Sequence, residues 1–412
     1  MSEIREMIRE LCPDGVEFMV LGEICTIKTG KGITQKECED DAPYPVMSGG
    51  QSPMGMYYDY NREGDTVTVS RVGAYAGFVS YLTERFYCND KCFSVIPKGH
   101  VLLLPKYLYY NLKQKEDTIK ALQSEGGVPT INTQKLGGIE IPVPPMAVQR
   151  KIVEILDNFS NLTAELEAEL EERKRQYEYY RNLLLTFNPV ANGAVTGGEH
   201  QINDATENRG GLSVKWLALS EIGEMTKGSG IQKSDFIEQG LPCIHYGQLH
   251  TYYGTFAFRT KSFISKALFD RSKKAQHGDL IIATTSEDVE ACCKATAWLG
   301  EEEIAVSGDA HIFHHNQNPK YLAYFFQTEN FAKQKRKYAS GVKVVRVKGE
   351  QLLKVIIPLP SLEEQQRIVD ILDRFETLTT DLQSGIPAEI AARRQQYEYY
   401  REQLLTFKRK AA

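Results

Sequence analysis

Apolar positions change their period along the chain, and the changes divide it. Ile152, Ile155, Leu156, Phe159, Leu162, Leu166 and Leu170 fall at three- and four-residue steps, a narrow apolar stripe on an otherwise charged helix. The spacing predicts one long helix over about 147–187 and a second over about 362–407, roughly 60 Å each at 1.5 Å per residue. Pro144, Pro145 and Pro360 stand just ahead of these helices, where a missing backbone N–H is tolerated. Pro387 falls inside the second one, so a break or kink is expected there. Helices this long with an apolar seam need a partner, most simply each other. Elsewhere short apolar runs follow turn residues. Thr66-Val67-Thr68-Val69 comes after Gly64-Asp65, and Leu280-Ile281-Ile282-Ala283 after Gly278-Asp279, both reading as strands. Short helices are predicted over 105–123 and 319–338. Residues 188–211 are rich in Gly, Asn, Ala and Thr with almost no large apolar side chain, which makes a linker.

The pattern occurs twice. Ile141-Pro142-Val143-Pro144 returns as Ile357-Pro358-Leu359-Pro360, and Gln149, Ile152, Val153, Ile155, Leu156, Asp157 and Phe159 return as Gln365, Ile368, Val369, Ile371, Leu372, Asp373 and Phe375. Gln176-Tyr177-Glu178-Tyr179-Tyr180-Arg181 recurs unchanged at Gln396 to Arg401. The globular parts repeat more faintly: Leu21-Gly22-Glu23-Ile24 parallels Leu219-Ser220-Glu221-Ile222, and Pro105-Lys106-Tyr107-Leu108 parallels Pro319-Lys320-Tyr321-Leu322. A duplicated frame with divergent contents implies one fold serving two different targets. The expected fold class is α/β: two globular mixed α/β domains related by the repeat, 1–144 and 213–360. Two long helices, 145–187 and 361–408, separate them and pack as an antiparallel coiled coil, with a linker over 188–212.

Composition changes this picture little, and charge placement changes it more. The 412 residues are 42% hydrophobic, and no run of about 18 apolar residues provides a membrane span. The charged first ten residues lack the apolar core of a signal peptide. Eight cysteines without a pairing pattern suit a reducing cytoplasm. The net charge of −5 counts against nucleic acid as a partner, but local patches outweigh the total. Lys333, Lys335, Arg336, Lys337, Lys343, Arg346, Lys348 and Lys354 crowd one segment, and Glu165, Glu167, Glu169, Glu171 and Glu172 another.

Enzyme signatures are missing. An adenine methyltransferase needs an Asn-Pro-Pro-aromatic loop, and neither Asn188-Pro189 nor Asn318-Pro319 continues that way. Gly30-Lys31-Gly32 and Gly228-Ser229-Gly230 are not phosphate loops of the Gly-x4-Gly-Lys-Ser/Thr kind. They read as turns bringing backbone close to a surface, either DNA phosphate at Lys31 or, as a purely structural turn, the protein itself. Cys88 with Cys92, the adjacent Cys292 and Cys293, and His311, His314 and His315 lack the two short ligand pairs of structural zinc. No catalytic residue and no metal ligand is therefore assigned.

Base reading calls for polar and basic side chains in loops beside strands: arginine or lysine for guanine, asparagine or glutamine for adenine. In the first half these are Ser48, Gln51, Ser70, Arg71, Tyr75, Asn89 and Lys91. In the second they are His245, Tyr246, Gln248, Thr284, Thr285, Ser286, Glu287, Lys343 and Arg346, with Lys335, Arg336 and Lys337 as phosphate contacts.

The doubled Ile-Pro-x-Pro-x4-Gln-x2-Ile-Val stretches, each at the mouth of a long helix, resemble the specificity subunit of Type I restriction-modification systems over essentially the whole chain. The opening Leu11-Cys12-Pro13-Asp14-Gly15-Val16-Glu17 and the four-residue units Thr163 to Leu166 and Glu167 to Leu170 fit the same family. The resemblance implies a cytoplasmic, non-catalytic subunit whose two target-recognition domains each grip half of a split double-stranded DNA site. Its helices would act as a ruler setting the half-site spacing. It also implies two methylation subunits docked on the chain, joined in a restricting complex by two restriction subunits, and no membrane contact. S-adenosylmethionine, ATP and magnesium would belong to those partners alone. A methylation-only complex, a self-contained DNA-modifying enzyme and a coiled-coil scaffold without nucleic acid are the alternatives.

Overall fold

A computed structural model describes residues 2–99, 103–124, 126–187, 207–209, 212–341, 343–381 and 384–411. Apart from the short strand Glu207–Arg209 and Leu212, which already opens the strand Leu212–Ala218, the expected linker lies outside the described residues. The chain forms two compact units: Met1–Ala168 with Ala388–Ala412, and Glu169–Pro387. Each unit therefore combines one globular domain with part of the helix that follows it and part of the helix that follows the other.

In the first unit Cys25–Thr29, Cys92–Pro97, Thr66–Ser70 and Val79–Leu82 form an antiparallel sheet in that order. Every residue of Thr66–Ser70 is buried, as a central strand covered on both faces requires. A smaller sheet joins Met56–Tyr57, Tyr44–Met47 and Tyr87–Cys88. The helix Pro105–Gln114 buries Tyr107, Leu108 and Leu112 in one core with Val67, Val69, Phe93 and Val95. Ile152 and Leu156 from the helix Met146–Leu185, and Leu404 and Leu405 near the far end of the chain, complete that core.

The second unit repeats the plan with more strands. Gly223–Lys227, Ala310–His315, Leu280–Ala283, Lys294–Trp298 and Phe256–Ala257 make one sheet, and Ser262–Ile264, Leu241–Ile244, Ile304–Val306 and Lys274–Ala275 another. Registers repeat as well. Cys25 pairs with Pro97 and Ser70 with Cys92 in the first unit, where Gly223 pairs with His315 and Ala283 with Ala310 in the second.

The repeated sequence motif now has a physical reason. Gln365 is fully buried; its Nε2 donates to the Pro360 carbonyl at 3.0 Å and its Oε1 accepts from Asn318 N–H at 3.1 Å. Gln149 makes the same bonds to Pro144 O (2.8 Å) and from Leu104 N–H (2.9 Å). Asp373 accepts from the Tyr324 hydroxyl at 2.7 Å and pairs with Lys320 at 2.6 Å. Asp157 does so with Tyr110 and Lys106. These groups fasten each long helix to its own domain.

Helix pairing follows the expected direction in the first unit. Phe159 stacks on Tyr400 at 5.2 Å while Glu167 pairs with Arg394 at 2.5 Å, so one index rises as the other falls. In the second unit Tyr180 stacks on Phe375 at 5.4 Å. The repeated Gln-Tyr-Glu-Tyr-Tyr-Arg motif thus supplies the aromatic seam to both. Two features depart from a uniform stripe. Leu162, at about 100° per residue, lies roughly 65° from the centre of the stripe and is 45% exposed. The second long helix is divided into Leu362–Thr380 and Ile386–Leu405. Pro387 occupies the second position of the latter, where its missing N–H has no intrahelical partner to lose. No described helix is long and apolar enough to cross a membrane.

Candidate nucleic-acid interface

In the first unit the end of strand Thr66–Ser70 meets three loops. Ser70 Oγ donates to the Gly50 carbonyl at 3.0 Å, and Arg71 N–H donates to Lys91 O at 2.8 Å. Asn89 N–H reaches Met47 O at 2.9 Å, and Asn89 Nδ2 donates to Ile33 O at 2.9 Å. A Cβ on Gly30 would lie 1.6 Å from the Cys88 carbonyl oxygen. The Gly30 turn is therefore pressed against the protein's own backbone, not freed to approach a phosphate.

These bonds correct part of the expected reader set. Ser48, Ser70 and Asn89 are buried, and Ser70 and Asn89 have their polar atoms committed to the loops. They hold the surface together and do not face outward. Lys31, Gln51 and Lys91 are exposed, as is Tyr75. Arg71 is half-buried beside them, with Nη1 donating to Asp90 O at 3.2 Å.

The second unit builds the same corner from other residues. Ser307 N–H bonds Ile244 O at 3.0 Å, and Thr284 N–H bonds Asp309 O at 3.2 Å. A Cβ on Gly228 would lie 2.2 Å from Ser307 O. Val345 and Arg346 pair with Ser286 and Thr285. Between these elements lies a groove of about 430 Å³ lined by Lys227, Thr284, Thr285, Asp309, His311, Arg346, Lys348 and Glu350 among others. Thr284 Oγ1 and His311 Nδ1 are 2.9 Å apart. Burial, reinforced by Lys227, holds the His311 imidazole below its usual pKa.

Several second-half candidates are also structural. Buried His245 caps the helix Tyr246–Thr251 through Nδ1, which accepts from Gly247 N–H at 3.2 Å; burial and then Lys233 lower its pKa. Gln248 donates to Ser262 Oγ at 2.6 Å and accepts from His245 N–H at 3.0 Å. Tyr246 is half-buried against the His245 ring.

Lys335 is the clearest correction. It is 5% exposed, and its ammonium donates to the carbonyls of Glu290 (2.6 Å) and Cys292 (2.9 Å). Desolvation lowers its pKa, and it cannot reach a phosphate. Arg336 is exposed but held by Glu290 at 2.6 Å. Lys337, Lys343 and Arg346 are exposed, and among the described residues no ion pair claims their side chains. Ser286 is half-buried and Glu287 exposed at the rim. Lys227, Asp309 and His311 were not foreseen as groove residues, since they come from strand ends far apart in sequence, whereas Lys348 belongs to the basic segment already expected to meet phosphate.

Cys292 and Cys293 are buried with sulfurs 3.8 Å apart. Among the described residues no group of His, Cys, Asp or Glu could hold a metal ion.

Both corners lie in segments that match a known family. A family model described as the Type I restriction modification DNA specificity domain matches residues 13–173 and again 214–392. The specificity subunit of the type I restriction enzyme EcoR124I/EcoR124II of Escherichia coli is 28% identical, covering 99% of this chain and 98% of that one. A putative type I specificity subunit of Haemophilus influenzae is 28% identical over 84% of each chain. Among solved structures, the S subunit of a type I restriction-modification system from M. genitalium aligns with a TM-score of 0.56 at 14% identity, covering 95% of this chain and 96% of that one. A chain from a study of type I R-M complex assembly gives 0.60 at 15%, covering 95% and 97%.

Proposed function

On the premise that this chain belongs to the Type I restriction modification DNA specificity family, we propose that each of its two domains reads one half of a bipartite DNA site and that it performs no chemistry itself. One observation carries the reading: two corners with the same backbone bonds present different side chains. At the first, Arg71 and Lys91 are joined through their backbones, and Lys31, Gln51 and Tyr75 are exposed on the adjoining loops. Lys227, Asp309, His311, Arg346 and Lys348 line the second. Duplicated scaffolding with unlike readers is what a split, asymmetric target requires, because phosphate contacts position a protein while base-edge contacts specify sequence.

The chain works in a complex with methylation subunits, which bring S-adenosylmethionine, and in a restricting complex with restriction subunits, which bring ATP and magnesium. The exposed Tyr179 and Tyr399, one in each copy of the identical helical motif, support docking of a methylation subunit on each copy. Reconstitution tests the division of labour. The purified chain should transfer no methyl group to DNA, and adding methylation subunits should give methylation at a bipartite motif. Methylation by the chain alone would overturn it.

A further inference from the structure

The duplicated backbone registers allow the two corners to be compared position by position. Thr284 N–H bonds Asp309 O in the second unit, as Arg71 N–H bonds Lys91 O in the first. Thr285 bridges Arg346 as Val72 bridges Thr130. Val347 N–H reaches Thr284 O at 3.1 Å, as Ile131 N–H reaches Arg71 O at 2.9 Å. Asp309 therefore stands where the first unit has Lys91, and Arg346 where it has Thr130. The sign of the charge is inverted at one position, and a cation is gained at the other.

This inversion says what the groove faces. Asp309 and Glu350 line it together with Arg346. A carboxylate beside a phosphate is repelled, so a surface meant for the DNA backbone would not place Asp309 there. Base edges in the major groove offer both kinds of partner. Guanine O6 and N7 accept two hydrogen bonds from a guanidinium, and cytosine N4 donates to a carboxylate. Arg346 is exposed and its guanidinium has no ion-pair partner among the described residues. Its backbone is fixed on both sides, exchanging bonds with Ser340 at 2.8 and 3.0 Å and pairing with Thr285. A planar fork on a fixed strand suits bidentate recognition better than a mobile loop lysine.

Deepening the proposed function and resting on it, we infer that Arg346 reads a guanine and Asp309 a cytosine amino group within the half-site of the second domain. The first domain lacks this pair and reads a different half-site.

The test uses the complete methylation complex. The motif of the wild-type complex is first mapped by sequencing methylated DNA. Binding of wild-type, Arg346→Ala, Arg346→Lys and Asp309→Asn complexes is then measured on that motif, on every single-base-pair change in the second half-site, and on DNA carrying 7-deazaguanine. Arg346→Ala should lose about 5- to 150-fold of discrimination at one G·C pair, with the first half-site unaffected. Arg346→Lys should keep the salt dependence yet lose much of that discrimination. Removing N7 from the guanine should weaken wild-type binding and leave Arg346→Ala indifferent. Asp309→Asn should relax the preference at one cytosine. A second half-site without a G·C pair overturns the inference. So does an Arg346→Ala loss that is equal on all sequences with the salt slope falling by about one unit, the mark of a phosphate contact. A wild-type complex with no bipartite motif would instead overturn the proposed function on which the inference stands.

Discussion

Replacing Gln365 by leucine isolates the bonds that fasten the second long helix to its domain. Leucine nearly fills the same volume, so the cavity term that follows truncation is small. Three hydrogen bonds disappear: those to Pro360 O, to Gln317 Oε1 and from Asn318 N–H. The half-buried Gln317 amide can turn to water, but the Pro360 carbonyl and the Asn318 N–H are backbone groups held in place. Each buried polar group left without a partner costs about 1–3 kcal/mol. Burying extra apolar surface returns about 1 kcal/mol, so two stranded groups leave a net loss of about 1–5 kcal/mol. Both tryptophans of the chain, Trp216 and Trp298, lie in the second unit. Their fluorescence during urea unfolding therefore reports the unit that carries the change. The midpoint should fall with an unchanged slope. A loss below about 0.5 kcal/mol would refute the reasoning, because exposed positions give effects of that size.

Burial holds the His315 imidazole down to about 4, against roughly 6.5 in an unfolded chain, and among the described residues its Nε2 has no hydrogen-bond partner. The unfolded chain takes up the proton first, so this contribution to stability is complete above about pH 6.5 and is lost as the pH falls toward 4. Between pH 7 and 4.5 the wild type should lose about 2 kcal/mol more than His315→Phe in urea titrations; equal losses would contradict the assignment. Lys335→Met strands the carbonyls of Glu290 and Cys292 and should cost about 2–4 kcal/mol of stability while leaving the salt dependence of DNA binding alone. Lys337→Ala should do the opposite, changing stability by less than about 0.5 kcal/mol and reducing the salt slope by about one unit. Measuring stability and salt slope on both variants decides the two roles.

Where the sequence repeats, the architecture was legible. The spacing from Ile141 to Phe159 and from Ile357 to Phe375 marked the helix junctions, and Pro387 marked the interruption between Thr380 and Ile386. The reason for the conserved spacing was not legible, since Leu104 and Asn318, which bond Gln149 and Gln365, lie 45 and 47 residues away. Reader prediction failed in a systematic way. Polarity and a loop position identify residues that make hydrogen bonds, and Ser70, Asn89, His245 and Gln248 do so inward. The same blindness made Lys335 one of a basic run, although the helix Glu329–Arg336 turns it inward while Lys333 and Arg336 stay exposed. Lys227, Asp309 and His311 escaped notice because strand pairing, not chain proximity, assembles the groove. The 218-residue offset that aligns Asp309 with Lys91 becomes visible only once the registers are known.

If the two domains read independently, exchanging one of them must leave the other half-site untouched. Residues 1–144 are replaced by the corresponding segment of a relative with a different specificity, the chimaera is expressed with its methylation partners, and the methylated motifs are sequenced. Independent reading gives a motif in which one half-site has changed while the other keeps every base. A motif altered in both half-sites would contradict it.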